Sequence, residues 1–188
     1  VTAIDLPDDG RVRCGWSVSS QLYRDYHDRE WGRPVHGDDA LFERMCLEAF
    51  QSGLSWITIL RKRPAFREAF EGFVIERVAE FGDGRVERLL DNQGIVRNRA
   101  KIEACITNAR VARELDIGLD ELLWSFAPPP RRRPATLADV PAITPESTAL
   151  AKELKRRGFR FVGPTTAYAL MQATGMVDDH VTDCWVLP

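Results

Sequence analysis

The sequence contains no apolar run long enough to cross a bilayer and no leader pattern of basic, apolar and small residues, so a cytoplasmic protein without a membrane partner is expected. Cysteine is scarce: four in 188 residues is too few to staple a chain of this length, and fits a reducing compartment. Neither sign of charge dominates. The 26 Lys and Arg set against 28 Asp and Glu leave a formal net charge of -2, which argues against a protein that coats nucleic acid without selectivity. The basic residues are clustered, however, so a locally basic face is open to it. Strand-like alternation is missing over any useful length, and with it the case for a sheet.

What is present is 44% hydrophobic, enough to bury one proper core. We expect a flexible lead-in over residues 1–11 and a single all-α domain over 12–188, working as a monomer. Ser19 or Ser20 can cap a short helix carrying Tyr23, Tyr26 and His27. Asp38 or Asp39 starts an apolar helix reaching Gln51, and Gly53 interrupts it before Ser55–Leu60. Pro64 suits the first turn of a further helix. Apolar residues at helical spacing fill 99–115, where Cys105 reads as a buried thiol, as Cys46 does earlier. The run Pro128–Pro130 followed by Arg131–Arg133 is the most linker-like stretch. Thr144 and Pro145 make a cap and first turn for a helix closed by Gly158; Pro164 opens the next and Gly175 closes it.

Four constellations carry chemistry. Cys14 and His27 near one end, with His180 and Cys184 near the other, form two pairs of metal-type ligands; on a helix, His180 and Cys184 share a face. Two thiolates and two imidazoles are the closed set of structural zinc. The alternative is four unrelated residues, since the spacing is not that of a zinc finger. Trp16, Tyr23, Tyr26, Trp31 and Trp56 crowd the N-terminal third, as core or as the walls of a slot for a flat ring. Glu48, in an apolar helix, is either paired with Arg44 or held in a cavity for a cationic ligand. Residues 157–164 form a glycine-bounded turn between two helices, and Lys152, Lys155, Arg156, Arg157 and Arg160 draw anions toward it.

The strings Cys14-Gly15-Trp16, Tyr26-His27-Asp28, Glu30-Trp31-Gly32, Leu47-Glu48, Ser52 to Ile57, Arg157 to Phe159, Phe161 to Gly163 and Asp179-His180-Val181 with Cys184 closely resemble the 3-methyladenine-DNA glycosylase I family, in matching order over about residues 12–186. The resemblance implies a helix-hairpin-helix glycosylase fold whose two ends are joined by structural zinc on Cys14, His27, His180 and Cys184. It implies excision of 3-methyladenine from alkylated double-stranded DNA, leaving an abasic site. Glu48 would contact the methylated base, Tyr26 and Trp56 would stack on it, and Trp16 and Tyr23 would line the pocket. Gly53 and Leu54 would enter the base stack, and the hairpin with Gly158, Phe159 and Gly163 would clamp phosphate. One position departs from the family's pattern, in which Asn usually precedes the Asp-His pair: here it is Asp178. Asp178 is a catalytic candidate by analogy with the wider superfamily, but the preferred reading makes it the N-cap of a helix bearing the last two ligands. A zinc-stabilised DNA-binding module without activity is the alternative function; it would hold undamaged duplex and release no base.

Overall fold

A computed structural model describes residues 9–187, and among them every regular element is helical. The α-helices are α1 (Gln21–Arg29), α2 (Asp38–Gln51), α3 (Trp56–Ala69), α4 (Ile75–Ala79), α5 (Asp83–Asp91), α6 (Arg99–Arg113), α7 (Leu119–Trp124), α8 (Pro145–Arg157) and α9 (Pro164–Ala173), with 3-10 turns at Gly15–Ser19, Glu71–Phe73 and Leu137–Asp139. None is long and apolar enough to cross a membrane. Residues 1–8 of the expected lead-in lie outside the described residues. Asp9 is tied to the domain, accepting Arg13 Nη2 at 2.6 Å.

The helix α2 is the axis of the fold. It packs on α3, α4, α6, α7 and α9, and Leu41, Phe42, Met45, Leu47 and Phe50 are fully buried along it. A helix with so many apolar residues in its second half is stable only when other helices cover them. Its two leading acids also fix its neighbours: Asp38 Oδ1 accepts Asp120 N at 2.8 Å, at the start of α7, and Asp39 Oδ1 accepts Ile75 N at 2.8 Å, at the start of α4. From Phe50 on this helix an aromatic chain runs through Phe66, Phe70 and Phe73, with the Phe70 and Phe73 rings stacked at 5.3 Å. Truncating one such ring to Ala costs about 3–5 kcal/mol.

Local signals set several boundaries as expected. Ser20 accepts Tyr23 N at 3.2 Å and caps α1; Thr144 and Ser147 form a capping box on α8, with Pro145 behind the cap and left-handed Gly158 closing it. Elsewhere tertiary packing wins. No helix begins at Pro64; α3 runs through it, because Ile59 and Leu60 before it and Phe66 and Ala69 after it bury against the same core. The Arg131–Arg133 stretch is no free linker. Arg131 Nη2 donates to Asp179 Oδ1 at 2.6 Å and to the Tyr168 hydroxyl, and Arg133 Nε donates to Asp178 Oδ2 at 2.7 Å.

The chain ends meet beside α9. Trp185 N donates to Val12 O at 2.9 Å, while Gly32 N and Val35 N donate to Gln172 O and Thr174 O. Gly175 makes the last approach possible: at φ +72° its missing Cβ would stand 2.5 Å from the Arg33 carbonyl carbon.

Candidate functional site

Helix α1 divides two sites. Tyr23, Tyr26 and His27 lie within little more than one turn, yet His27 points at the chain ends while both tyrosines line a cleft against α2 and α3. The cleft, about 460 Å³, is walled by Trp16, Tyr23, Tyr26, Trp31 and Trp56, with Glu48 among its lining residues. Its rings meet edge-on or tilted: Trp16 to Trp31 at 5.2 Å, Trp16 to Tyr23 at 5.6 Å, Tyr26 to Trp56 at 5.5 Å. Tyr23 is oriented from outside, its hydroxyl accepting Ile57 N at 2.9 Å in the first turn of α3.

Glu48 is 5% exposed and makes no hydrogen bond to any described residue. Of the two readings of Glu48, the pairing with Arg44 is not made: Arg44 Nη2 donates to Glu30 Oε2 at 3.0 Å, and Arg63 grips both oxygens of the same carboxylate at 2.7 Å. Burial therefore pushes the Glu48 carboxyl up to about 8, with only partial relief from the Arg44 charge. Burial and the Glu48 charge together also push the Tyr26 phenol well above its usual range. The buried indole Nε1 of Trp56 has no acceptor among the described residues either. The cleft thus offers an unspent acid between electron-rich rings. Such a slot suits a flat, electron-poor heterocycle.

Cys14, His27, His180 and Cys184 come together as one buried group whose ligand atoms all lie within 4.8 Å of each other, a cluster that could hold a metal ion. Cys184 Sγ is 3.4 Å from His27 Nε2 and 3.5 Å from His180 Nδ1, and Cys14 Sγ is 3.7 Å from His180 Nδ1. The outward ring nitrogens are engaged: His27 Nδ1 with Asp28 Oδ1 at 2.8 Å, His180 Nε2 with Trp31 O at 3.2 Å. Arg13 and the Trp185 indole in turn hold Asp28. This outer ring fixes both imidazoles with their lone pairs on the cluster. Burial pushes the Cys14 thiol up to about 12 and holds His180 down at about 4, the His27 charge adding to the latter. Gly32 leaves the room required, since a Cβ there would stand 3.0 Å from His180 Nε2. Trp16 and Trp31 touch both sites, packing on His27 and His180 as well as walling the cleft.

Two expectations near the C-terminus change. His180 and Cys184 are not on a helix; the chain over 178–187 is irregular, and Asp178 caps no helix. Asp178 Oδ1 instead accepts His180 N at 3.2 Å within a turn, and its other oxygen faces Arg133. It is Asp179 that lines the cleft, fully buried, accepting from Arg131, Tyr168 OH and Gln172 Nε2. Sequence reasoning missed Asp179, Gln172 and Gln51 as lining residues, because nothing local distinguishes two successive aspartates. In the turn 158–163, Phe159 is 3% exposed and its N–H serves Leu154 O, so neither its ring nor its amide faces outward; Phe161, at φ +56°, is the exposed aromatic. Gly53 and Leu54 sit at the exit of α2, Leu54 being 39% exposed.

Known proteins resemble this chain in sequence and fold. The methyladenine glycosylase family matches residues 16–187. DNA-3-methyladenine glycosylase 1 of Escherichia coli is 45% identical over 181 residues, spanning 94% of this chain and 97% of its own length. A crystal structure of 3-methyladenine DNA glycosylase I superimposes with a TM-score of 0.90 at 46% identity, covering 94% of this chain and all of that one. The enzyme from Staphylococcus aureus, solved for the structural basis of its 3-methyladenine recognition, superimposes at 0.89 with 34% identity, covering 94% and 96%. With the whole cleft and three of the four cluster residues inside the family match, this chain belongs to the methyladenine glycosylase family.

Proposed function

We propose that this chain excises 3-methyladenine from alkylated double-stranded DNA by hydrolysis of the N-glycosidic bond. The observation that carries the reading is Glu48, a buried acid with no hydrogen-bond partner among the described residues, set in an aromatic cleft. Methylation at a ring nitrogen gives the purine a positive charge. The charge is welcome beside Glu48 and the rings; neutral adenine would leave the acid unsatisfied. The flipped base stacks on Tyr26 and Trp56, and Trp16 and Tyr23 close the pocket. A damaged base is also the cheapest to unpair and extrude.

The reaction needs little acid–base help. The bond between sugar C1′ and the base nitrogen breaks with its electron pair going to the base, which leaves neutral. Water adds to C1′ and gives up one proton to solvent, so an abasic sugar remains. Leu54, carried by the Gly53 turn, fills the gap in the base stack. The turn 158–163 supports a helix-hairpin-helix phosphate clamp: Gly163 caps α9 with open space around it, and Asn108 fixes the turn through both Arg160 N and Arg160 O.

The Cys/His cluster fits structural zinc. Tetrahedral zinc, at its usual bond lengths, sets neighbouring sulfur and nitrogen ligands about 3.3–3.8 Å apart, and three of the four sulfur–nitrogen pairs here stand at 3.4, 3.5 and 3.7 Å. When bound, the ion stabilises the two thiolates and ties the chain ends together; no step of the reaction passes through it. Incubating the protein with methylated duplex DNA and separating released bases by chromatography tests the reading. Free 3-methyladenine is the expected product, and intact glycosidic bonds with tight duplex binding would instead make this a binding module.

A further inference from the structure

Lys101 is the single buried lysine among the described residues, and its position is locally wrong. It occupies the first turn of α6, where the helix macrodipole disfavours a cation. Burial lowers its pKa, so the ammonium bears a desolvation cost too. Both costs are offset at another helix. Lys101 Nζ donates to Phe50 O at 2.9 Å and to Ser52 O at 2.5 Å, the carbonyls at the C-terminal end of α2. That end has no basic residue of its own in its last turn. The segment it holds begins two residues after Glu48 and runs directly into Gly53 and Leu54. The turn is otherwise held by Leu54 N donating to Gln51 O at 2.7 Å and Gln51 Nε2 donating to Leu54 O at 3.2 Å. Gly53, at φ +81° with nothing near its Cβ position, contributes no packing.

We propose that Lys101 is a positioning residue: from α6 it clamps the exit of α2 so that the Gly53–Leu54 turn is rigid when it enters duplex DNA. The proposal rests on the glycosylase reading for its consequence, and on the two carbonyl contacts for its geometry. Base eversion then depends on Lys101, while the base pocket itself does not.

The test uses the full chain with Lys101→Met, Leu54→Ala and the double variant. Hydrogen exchange at the Leu54 amide should speed up about tenfold or more in Lys101→Met, whatever the protein's activity. Single-turnover release of 3-methyladenine from methylated duplex should fall by about tenfold, while affinity for free 3-methyladenine stays within about twofold. In the Leu54→Ala background, removing Lys101 should cost little more, because the two act through one element. If Lys101→Met does not fold, Lys101→Arg, which keeps the cation with altered reach, should show the same pattern more weakly. Unchanged exchange at Leu54, full additivity with Leu54→Ala, or equal losses of release and free-base binding would overturn the proposal. Absence of release by the parent protein would defeat the glycosylase reading alone, and the exchange measurement would still decide the clamp.

Discussion

Arg44 reaches Glu30 at 3.0 Å instead of turning to Glu48 four residues along its own helix. Arg63, from α3, completes the competing site, and together they hold the Glu30 carboxyl at about 2 against the cost of its burial. Glu48 is left protonated at neutral pH in a slot of aromatic rings. A cationic base must therefore displace a proton as it binds.

The first prediction follows for catalysis. With a carboxyl near 8, kcat/KM for 3-methyladenine release should rise with pH up to about 8 and then level. Glu48→Gln should remove that rise and lower kcat/KM by about tenfold or more at pH 8, the worth of one charge-assisted hydrogen bond. A pH profile unchanged by the substitution would make Glu48 an ordinary buried acid.

The same group sets a stability trend of opposite sense. The folded-state pKa is raised above 4.5, so native protein binds more protons than unfolded chain between that value and 8. Its contribution is fully present below about pH 4.5 and is lost as pH climbs to about 8. Glu48→Gln should therefore melt above the parent at pH 8, by more than about 1 kcal/mol in unfolding free energy, with the gap closing toward pH 5. Urea titrations at the two pH values measure it.

Metal content and stability should fall together in Cys184→Ser. The substitution removes one of the four buried side chains that would hold the ion, and the cluster joins residues 14 and 27 to 180 and 184. A loss of at least about 2 kcal/mol is expected, with zinc below one equivalent by elemental analysis. Full stability in zinc-free parent protein would count against the structural role.

Asp178→Asn should leave excision nearly intact, because Asp178 lies outside the cleft residues and serves a turn. Loss of the half-buried contact with Arg133 should cost about 0.2–1 kcal/mol of stability. A tenfold or larger fall in single-turnover release at unchanged stability, roughly 1.4 kcal/mol in the barrier, would assign Asp178 to the chemistry.

What the sequence determined by itself were features written in neighbouring residues or in residue chemistry. Helix periodicity, the Ser20 and Thr144 caps, the Gly158 stop and the scarcity of Cys and His made the all-helical class and the four ligand candidates legible. The aromatic types around Glu48 were equally plain. What only tertiary structure decided is partnership. Arg44 is four residues from Glu48 yet pairs with Glu30, since Arg63 arrives from another helix to share that carboxylate. Pro64 stays inside α3 because the core covers both halves. Of two successive aspartates, Asp179 faces the cleft and Asp178 the turn, a choice made by Tyr168, Gln172 and Arg131 from distant segments. Lys101 violates its own helix to complete α2. Local preferences amount to a few tenths of a kcal/mol up to about 1 kcal/mol each, whereas an unsatisfied buried charge costs several, so long-range pairing overrules them wherever the two conflict.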